Sequence, residues 1–193
     1  MKNTLVGLDL GGTNIKWCLY DARRKLIFRS GQVPTKAGGG PGAVAHQLAS
    51  LVRQAGSLVL GDGCRLAGVG IGAPGLVNDG VVRNSPNLPG WQSSVPLLKM
   101  IQERLAGLDI PVTVENDVNC MLTAECTIGA GRGYSQVVGL AIGTGVGGGL
   151  WIDGKLVKGA NGGAGELGHM TVALGGPRCQ CGKHGRLEAL IGS

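Results

Sequence analysis

One local pattern occurs twice in this 193-residue chain: an apolar run, a glycine-rich turn, and a second strand-like run. The first copy is 5–10, then Gly11-Gly12-Thr13-Asn14, then 15–20; the second is 137–142, then Gly143-Thr144-Gly145-Val146-Gly147-Gly148-Gly149, then 150–152. Reversing the chain directly after a buried strand favours glycine, which also lets backbone N–H groups approach an anion that a Cβ would hold off. The pair of turns therefore predicts two related sheet-based units and a phosphate-bearing ligand. Gly143, Gly145 and Gly148, like Gly70, Gly72 and Gly75, also stand at the G-x-G-x-x-G spacing. That fingerprint needs a helix directly afterwards, whose N-terminus meets the pyrophosphate. Gly148 runs instead into a strand pattern and Pro74-Gly75 into a loop, which argues against a dinucleotide fold. Gly149 to Lys155 imitates the start of a P-loop, but Leu156 stands where Ser or Thr is required and Asp153-Gly154 reads as a hairpin turn.

The rest of the pattern fills in the first unit. Runs at 4–10, 15–21 and 25–34 predict a three-stranded antiparallel meander, with Asp21-Ala22-Arg23-Arg24 as a polar turn. After the glycine-rich stretch 38–42, Val44, Leu48, Leu51, Val52 and Ala55 fall at helical spacing. A strand follows at 66–71, broken sharply at Gly72-Ala73-Pro74-Gly75, then a loop holding 84–91, a helix near 95–105, a strand at 111–114, and a helix from Asp117 to about 128. The order is βββαβαβα. From Gln136 the pattern restarts with strands at 137–142, 149–152 and 155–157, and a helix begins at Leu187. The expected fold class is α/β, with an N-terminal unit over 1–117 and, over 118–193, a linking helix and the first part of a second unit. The second sheet lacks crossover helices to cover it. The native polypeptide is accordingly expected to be longer, or to be completed by another chain.

Three groups of residues invite a chemical reading. In the first turn, Gly11 and Gly12 can present backbone N–H groups to phosphate, Thr13 adds a hydroxyl, and Asp9 at the strand end can hold a hydrated Mg²⁺; a plain hairpin turn is the simpler alternative. Glu115-Asn116-Asp117 stands at a strand-to-helix junction, where open α/β sheets present functional side chains. A carboxylate there can accept the proton of a hydroxyl that attacks a phosphoryl group, although Asn116 or Asp117 also suits a helix cap. Finally, Glu166, His169, Cys179, Cys181, His184 and Glu188 crowd into one loop-rich stretch. Two thiolates and His169 supply three of the four ligands a structural zinc requires, and the alternative is a flexible loop with exposed thiols.

Composition narrows the remaining classes. The 38 glycines show no collagen period, so the chain is expected to be globular. Aromatics make up 3% and the +6 charge is dispersed, which argues against nucleic-acid binding. No apolar run reaches membrane-spanning length, and Met1-Lys2-Asn3 leads into a strand without the layout of a signal peptide. A cytoplasmic protein with reduced thiols is expected, and burial is the simple reading for Cys18, Cys64, Cys120 and Cys126.

Taken together, Asp9–16, 72–75, Asn84-Ser85-Pro86-Asn87-Leu88-Pro89-Gly90-Trp91, 115–119, 143–149, Gly165-Glu166-Leu167-Gly168-His169 and 179–188 resemble the ROK family of sugar kinases, most closely its bacterial glucokinases. The resemblance covers essentially the whole chain. It implies the actin-like ATPase and hexokinase superfamily, whose two RNase-H-like domains close around ATP and sugar. It further implies transfer of the γ-phosphate of ATP to the 6-hydroxyl of glucose, with Asp117 as general base. Asn87, Asn116, Glu166, His169 and Glu188 would bind sugar hydroxyls. Gly11, Gly12, Thr13, Lys16, Gly143, Thr144 and Gly145 would serve the ATP phosphates, with Asp9 near Mg²⁺. His169, Cys179 and Cys181 would bind zinc, but the family's third cysteine is Arg186 here, leaving His184 as the candidate fourth ligand. Family members run more than a hundred residues further, so the isolated chain is expected to be poorly active, and the full-length form is expected to be a homodimer. Mannose, N-acetylated hexoses, allose and fructose are alternative substrates. The alternative class is a ROK sugar-sensing repressor, which would carry a helix-turn-helix segment ahead of the first strand.

Overall fold

The computed structural model describes residues 2–192, and the chain divides into two compact units, Met1–Asp117 and Val118–Ser193. The first unit is built on a five-stranded sheet. Its antiparallel meander comprises β1 (Lys2–Leu10), β2 (Asn14–Asp21) and β3 (Leu26–Pro34). Helix α1 (Gly40–Gly61) then leads to β4 (Cys64–Ala73), which pairs parallel with β1. A small hairpin follows, formed by β5 (Leu76–Asn78) and β6 (Val81–Arg83). Helix α2 (Leu97–Arg104) returns the chain to β7 (Val112–Asn116), parallel to β4. The sheet order is β3-β2-β1-β4-β7.

Strand alternation explains why this sheet has a core. In β1, Thr4, Val6, Leu8 and Leu10 are buried, while Leu5 and Asp9 on the other face are exposed. Helix α1 answers with one apolar stripe, Val44, Leu48, Val52, Ala55 and Val59, all buried. Each large aliphatic side chain buried in this way stabilises by roughly 1.5–3 kcal/mol. Pro41 at the start of α1 tolerates the missing amide there, so the helix begins inside the glycine-rich stretch expected as loop. Helix α2 starts at Leu97 rather than 95, because Val95 instead exchanges two backbone hydrogen bonds of 2.9 Å with Val82. Leu88 and Trp91 are fully buried and pin the 84–91 loop against the core.

The second unit opens with α3 (Asp117–Ile128), whose first residue belongs to the preceding unit. It continues with a three-stranded antiparallel sheet, β8 (Gln136–Ile142), β9 (Val146–Ile152) and β10 (Lys155–Val157), in the order β10-β9-β8. Asp153 and Gly154 take positive φ of 51° and 73° in the β9–β10 turn, as a tight hairpin requires. A long loop with a 3₁₀ turn at Leu167–His169 ends in α4 (Leu187–Ile191).

Three expectations are corrected. Strand β9 begins at Val146, so Gly147, Gly148 and Gly149 belong to the strand rather than to a phosphate loop. A Cβ on Gly147 would meet Val118 at 2.5 Å, one on Gly148 would meet Leu167 at 2.8 Å, and one on Gly149 would meet Leu122 at 2.9 Å. These glycines permit close packing. Strand β8 is not buried on both faces, since Val138, Leu140 and Ile142 are exposed among the described residues. Of the four cysteines expected inside, Cys126 alone is buried; Cys18, Cys64 and Cys120 are half-buried.

Candidate active site

Three parallel strands of the first unit end on one edge. In register, Asp9 of β1 lies beside Gly72 of β4, and Ala73 of β4 beside Asn116 of β7. This carboxyl edge is where open α/β sheets bind ligands, and it carries both Asp9 and the Asn116-Asp117 junction. The turn after β1 is rigidly tied. The Gly11 amide donates to the Asn14 carbonyl at 3.0 Å, the Thr35 hydroxyl donates to the Gly11 carbonyl at 2.7 Å, and the Thr35 amide donates to the Thr13 carbonyl at 2.8 Å. A Cβ on Gly12 would meet the Asn87 carbonyl oxygen at 2.7 Å, so the first turn lies directly on the Asn87 loop. Asn87 itself is exposed. Lys16 Nζ stands 3.9 Å from the Asp9 carboxylate with both side chains largely exposed, a pairing that contributes little stability.

The Pro74-Gly75 break after β4 has a local cause. Gly75 has φ +97°, and a Cβ there would meet the Arg83 carbonyl oxygen at 2.5 Å. The resulting turn presents the Gly75 carbonyl to Asn116, whose Nδ2 donates to it at 3.0 Å. The Asn116 amide donates to Glu115 Oε1 at 2.9 Å. Asp117 follows as the first residue of α3.

In the second unit one chain of contacts joins the second turn to the His/Cys loop. The Gly143 amide donates to the Gly145 carbonyl at 2.9 Å, closing the turn, and the buried Val146 amide donates to Glu188 Oε2 at 3.0 Å. The other oxygen, Glu188 Oε1, accepts from the Cys179 thiol at 3.4 Å. Cys179 Sγ is 4.0 Å from His169 Nδ1, and His169 Nε2 is 3.8 Å from Glu166 Oε2. Glu166, His169, Cys179 and Glu188 are thus neighbours in space. Thr144 is exposed at the turn's tip.

The two loop thiols differ in character. The Cys181 amide pulls the buried Cys179 thiol downward, but burial and its hydrogen bonds to Cys181 and Glu188 together push it above the ordinary thiol range. Cys181 is exposed and held below that range, chiefly by the Lys183 amide, with the thiol of Cys179 and the Arg186 guanidinium adding to the effect. The ligand atoms of His169, Cys179 and Cys181 lie within 4.8 Å of one another. His184, the candidate fourth ligand, is not one of this group; its Nδ1 lies 3.2 Å from the Gly176 carbonyl oxygen. The remaining neighbour is Arg186, which has no lone pair to offer a metal. Three donors and a guanidinium do not make the closed tetrahedron of a structural zinc site.

Sequence reasoning missed Thr35, which carries no motif and acts only through the chain's return beside the first turn. It also missed the Val146–Glu188 bond, which joins residues 42 apart. No helix among the described residues is long and apolar enough to cross a membrane.

Residues 5–193 match the ROK family model. The chain is 38% identical to a glucokinase of Thermotoga maritima over 191 residues, covering 98% of this chain and 57% of that protein. Among solved structures, it is similar to a ROK hexokinase from Thermus thermophilus, at 39% identity and TM-score 0.81, covering 98% of this chain and 60% of that one. It is also similar to a ROK family glucokinase from Streptomyces griseus in complex with glucose and AMPPNP, at 33% identity and TM-score 0.75, covering 96% and 56%. The chain thus spans a little over half the length of these relatives. The fold is that of the actin-like ATPase and hexokinase superfamily, an RNase-H-like unit followed by the start of a second. Within it, the chain belongs to the ROK family.

Proposed function

We propose that the protein containing this chain is an ATP-dependent hexose kinase that transfers the γ-phosphate of ATP to the 6-hydroxyl of glucose. The observation that carries this reading is the shared carboxyl edge of β1, β4 and β7, which bears a tied glycine turn, Asp9 and Asp117. The similarity to a glucokinase solved with glucose and AMPPNP supports both ligands.

In this reading the hexose 6-oxygen attacks the γ-phosphorus, the bond from that phosphorus to the β-bridging oxygen breaks, and ADP leaves. Asp117 accepts the hydroxyl proton as the new bond forms. Asn116, steadied by Gly75, and Asn87 are assigned to sugar hydroxyls, as are Glu166, His169 and Glu188. Gly11, Gly12, Thr13 and Lys16, with Gly143, Thr144 and Gly145, serve the phosphates through backbone N–H groups, hydroxyls and one cation. The exposed Asp9 carboxylate is a hard oxygen donor suited to a hydrated Mg²⁺, which when bound neutralises phosphate charge. Rate enhancement in such a site comes from positioning and charge stabilisation.

The test is ADP release by the full-length protein with Mg·ATP and a panel of glucose, mannose, fructose, allose and N-acetylglucosamine. Glucose is expected to give the highest kcat/KM, and 6-deoxyglucose none. A higher kcat/KM for another hexose would reassign the substrate, and ADP release unaffected by any sugar would remove the kinase reading.

A further inference from the structure

We propose that the Arg186 guanidinium takes the place of a metal ion in the His169–Cys179–Cys181 cluster, so that this loop is held by a side-chain cation and carries no zinc. Four observations lead there. The cluster supplies three ligand atoms, and His184 is turned to the Gly176 carbonyl instead. Arg186 Nη1 donates to the His169 carbonyl, so the cation already holds one of the segments a metal would join. Its Nε is buried, so the guanidinium stem is turned into the loop rather than out to solvent. A divalent ion at the same spot would lie against this fixed positive charge.

The loop is also closed without a metal. Backbone bonds run from the Val172 and Ala173 amides to the Gly185 carbonyl at 2.9 and 3.2 Å, and from the Leu187 amide to the Met170 carbonyl at 3.0 Å. The Cys179 amide donates to the Lys183 carbonyl at 2.8 Å, and the Gly185 amide to the Pro177 carbonyl at 2.9 Å. Arg186 adds the side-chain tie. By holding the His169 backbone it supports the turn whose imidazole lies beside Cys179, and the Cys179 thiol in turn donates to Glu188, which receives the Val146 amide of the second glycine turn.

Metal content and melting temperature test this apart from any kinase activity. The protein is expressed in zinc-supplemented medium, then assayed for metal by mass spectrometry and melted with and without EDTA. The unsubstituted protein is expected to hold less than about 0.1 zinc per chain and to melt identically with chelator, because it lacks a fourth donor. Arg186→Ala is expected to melt lower, still without zinc. Arg186→Cys completes four donors and is expected to bind about one zinc per chain, with a melting temperature that EDTA lowers. Should either variant fail to fold, the metal content and EDTA response of the unsubstituted protein decide. Near-stoichiometric zinc there, or an Arg186→Ala variant that melts like the parent, overturns the proposal.

Discussion

The turn at 11–13 is fastened by neutral groups, the Thr35 hydroxyl and amide, and lies against the backbone of the Asn87 loop, whereas the turn at 143–145 depends on the carboxylate of Glu188. The first sits on a sheet covered by α1 and backed by fully buried Leu88 and Trp91; the second extends from a sheet whose β8 side chains Val138, Leu140 and Ile142 remain exposed. Both are strand-turn-strand glycine loops, yet the first is a fixture of its core and the second is tied to the His/Cys/Arg loop through one acidic side chain. Similar sequence motifs thus differ in what supports them, and a perturbation of the Cys179–Arg186 region should be felt in the second turn.

That contrast can be broken at single residues. The largest structural effect is expected from Glu188→Ala, which leaves the buried Val146 amide without its charged acceptor and should cost about 1.5–3 kcal/mol. Faster hydrogen exchange at Val146 is the readout, and unchanged protection there would mean that Glu188 does not hold the turn. Gly12→Ala should cost about 1–3 kcal/mol, because the new methyl meets a backbone oxygen that cannot swing aside. Denaturant unfolding of the variant measures it. Thr35→Val removes one hydroxyl bond but keeps the backbone bond to Thr13, for about 1 kcal/mol in the same assay. Gly143→Ala should change stability by less than about 0.5 kcal/mol, since nothing lies within 4 Å of the added Cβ. Equal costs at Gly12 and Gly143 would erase the distinction between the turns.

Much of the fold is legible because its signals are local. The meander at β1–β3, the apolar stripe of α1 and the restart at Gln136 follow from periodicity and turn residues alone. The β5–β6 hairpin was missed although Asp79-Gly80, both at positive φ, is a strong turn signal. It lies between strands of three residues each, too short for alternation to register. Gly147, Gly148 and Gly149 misled for another reason: a glycine needed for packing against Val118 or Leu122 looks in sequence like one needed for phosphate. The candidate site was legible where strand ends carry acidic or amide side chains, as at Asp9 and Asn116-Asp117. Partners distant along the chain, such as Thr35 with Gly11, Gly75 with Asn116 and Glu188 with Val146, become visible only once the fold brings them together.

In the proposed reaction Asp117 takes the proton from the sugar hydroxyl. Steady-state kinetics of full-length Asp117→Asn with Mg·ATP and glucose, paired with equilibrium glucose binding, tests it most directly. A fall in kcat of about 10²–10⁴-fold with glucose binding largely retained is expected for a general base removed without loss of shape. An Asp117→Asn enzyme with undiminished kcat would contradict it.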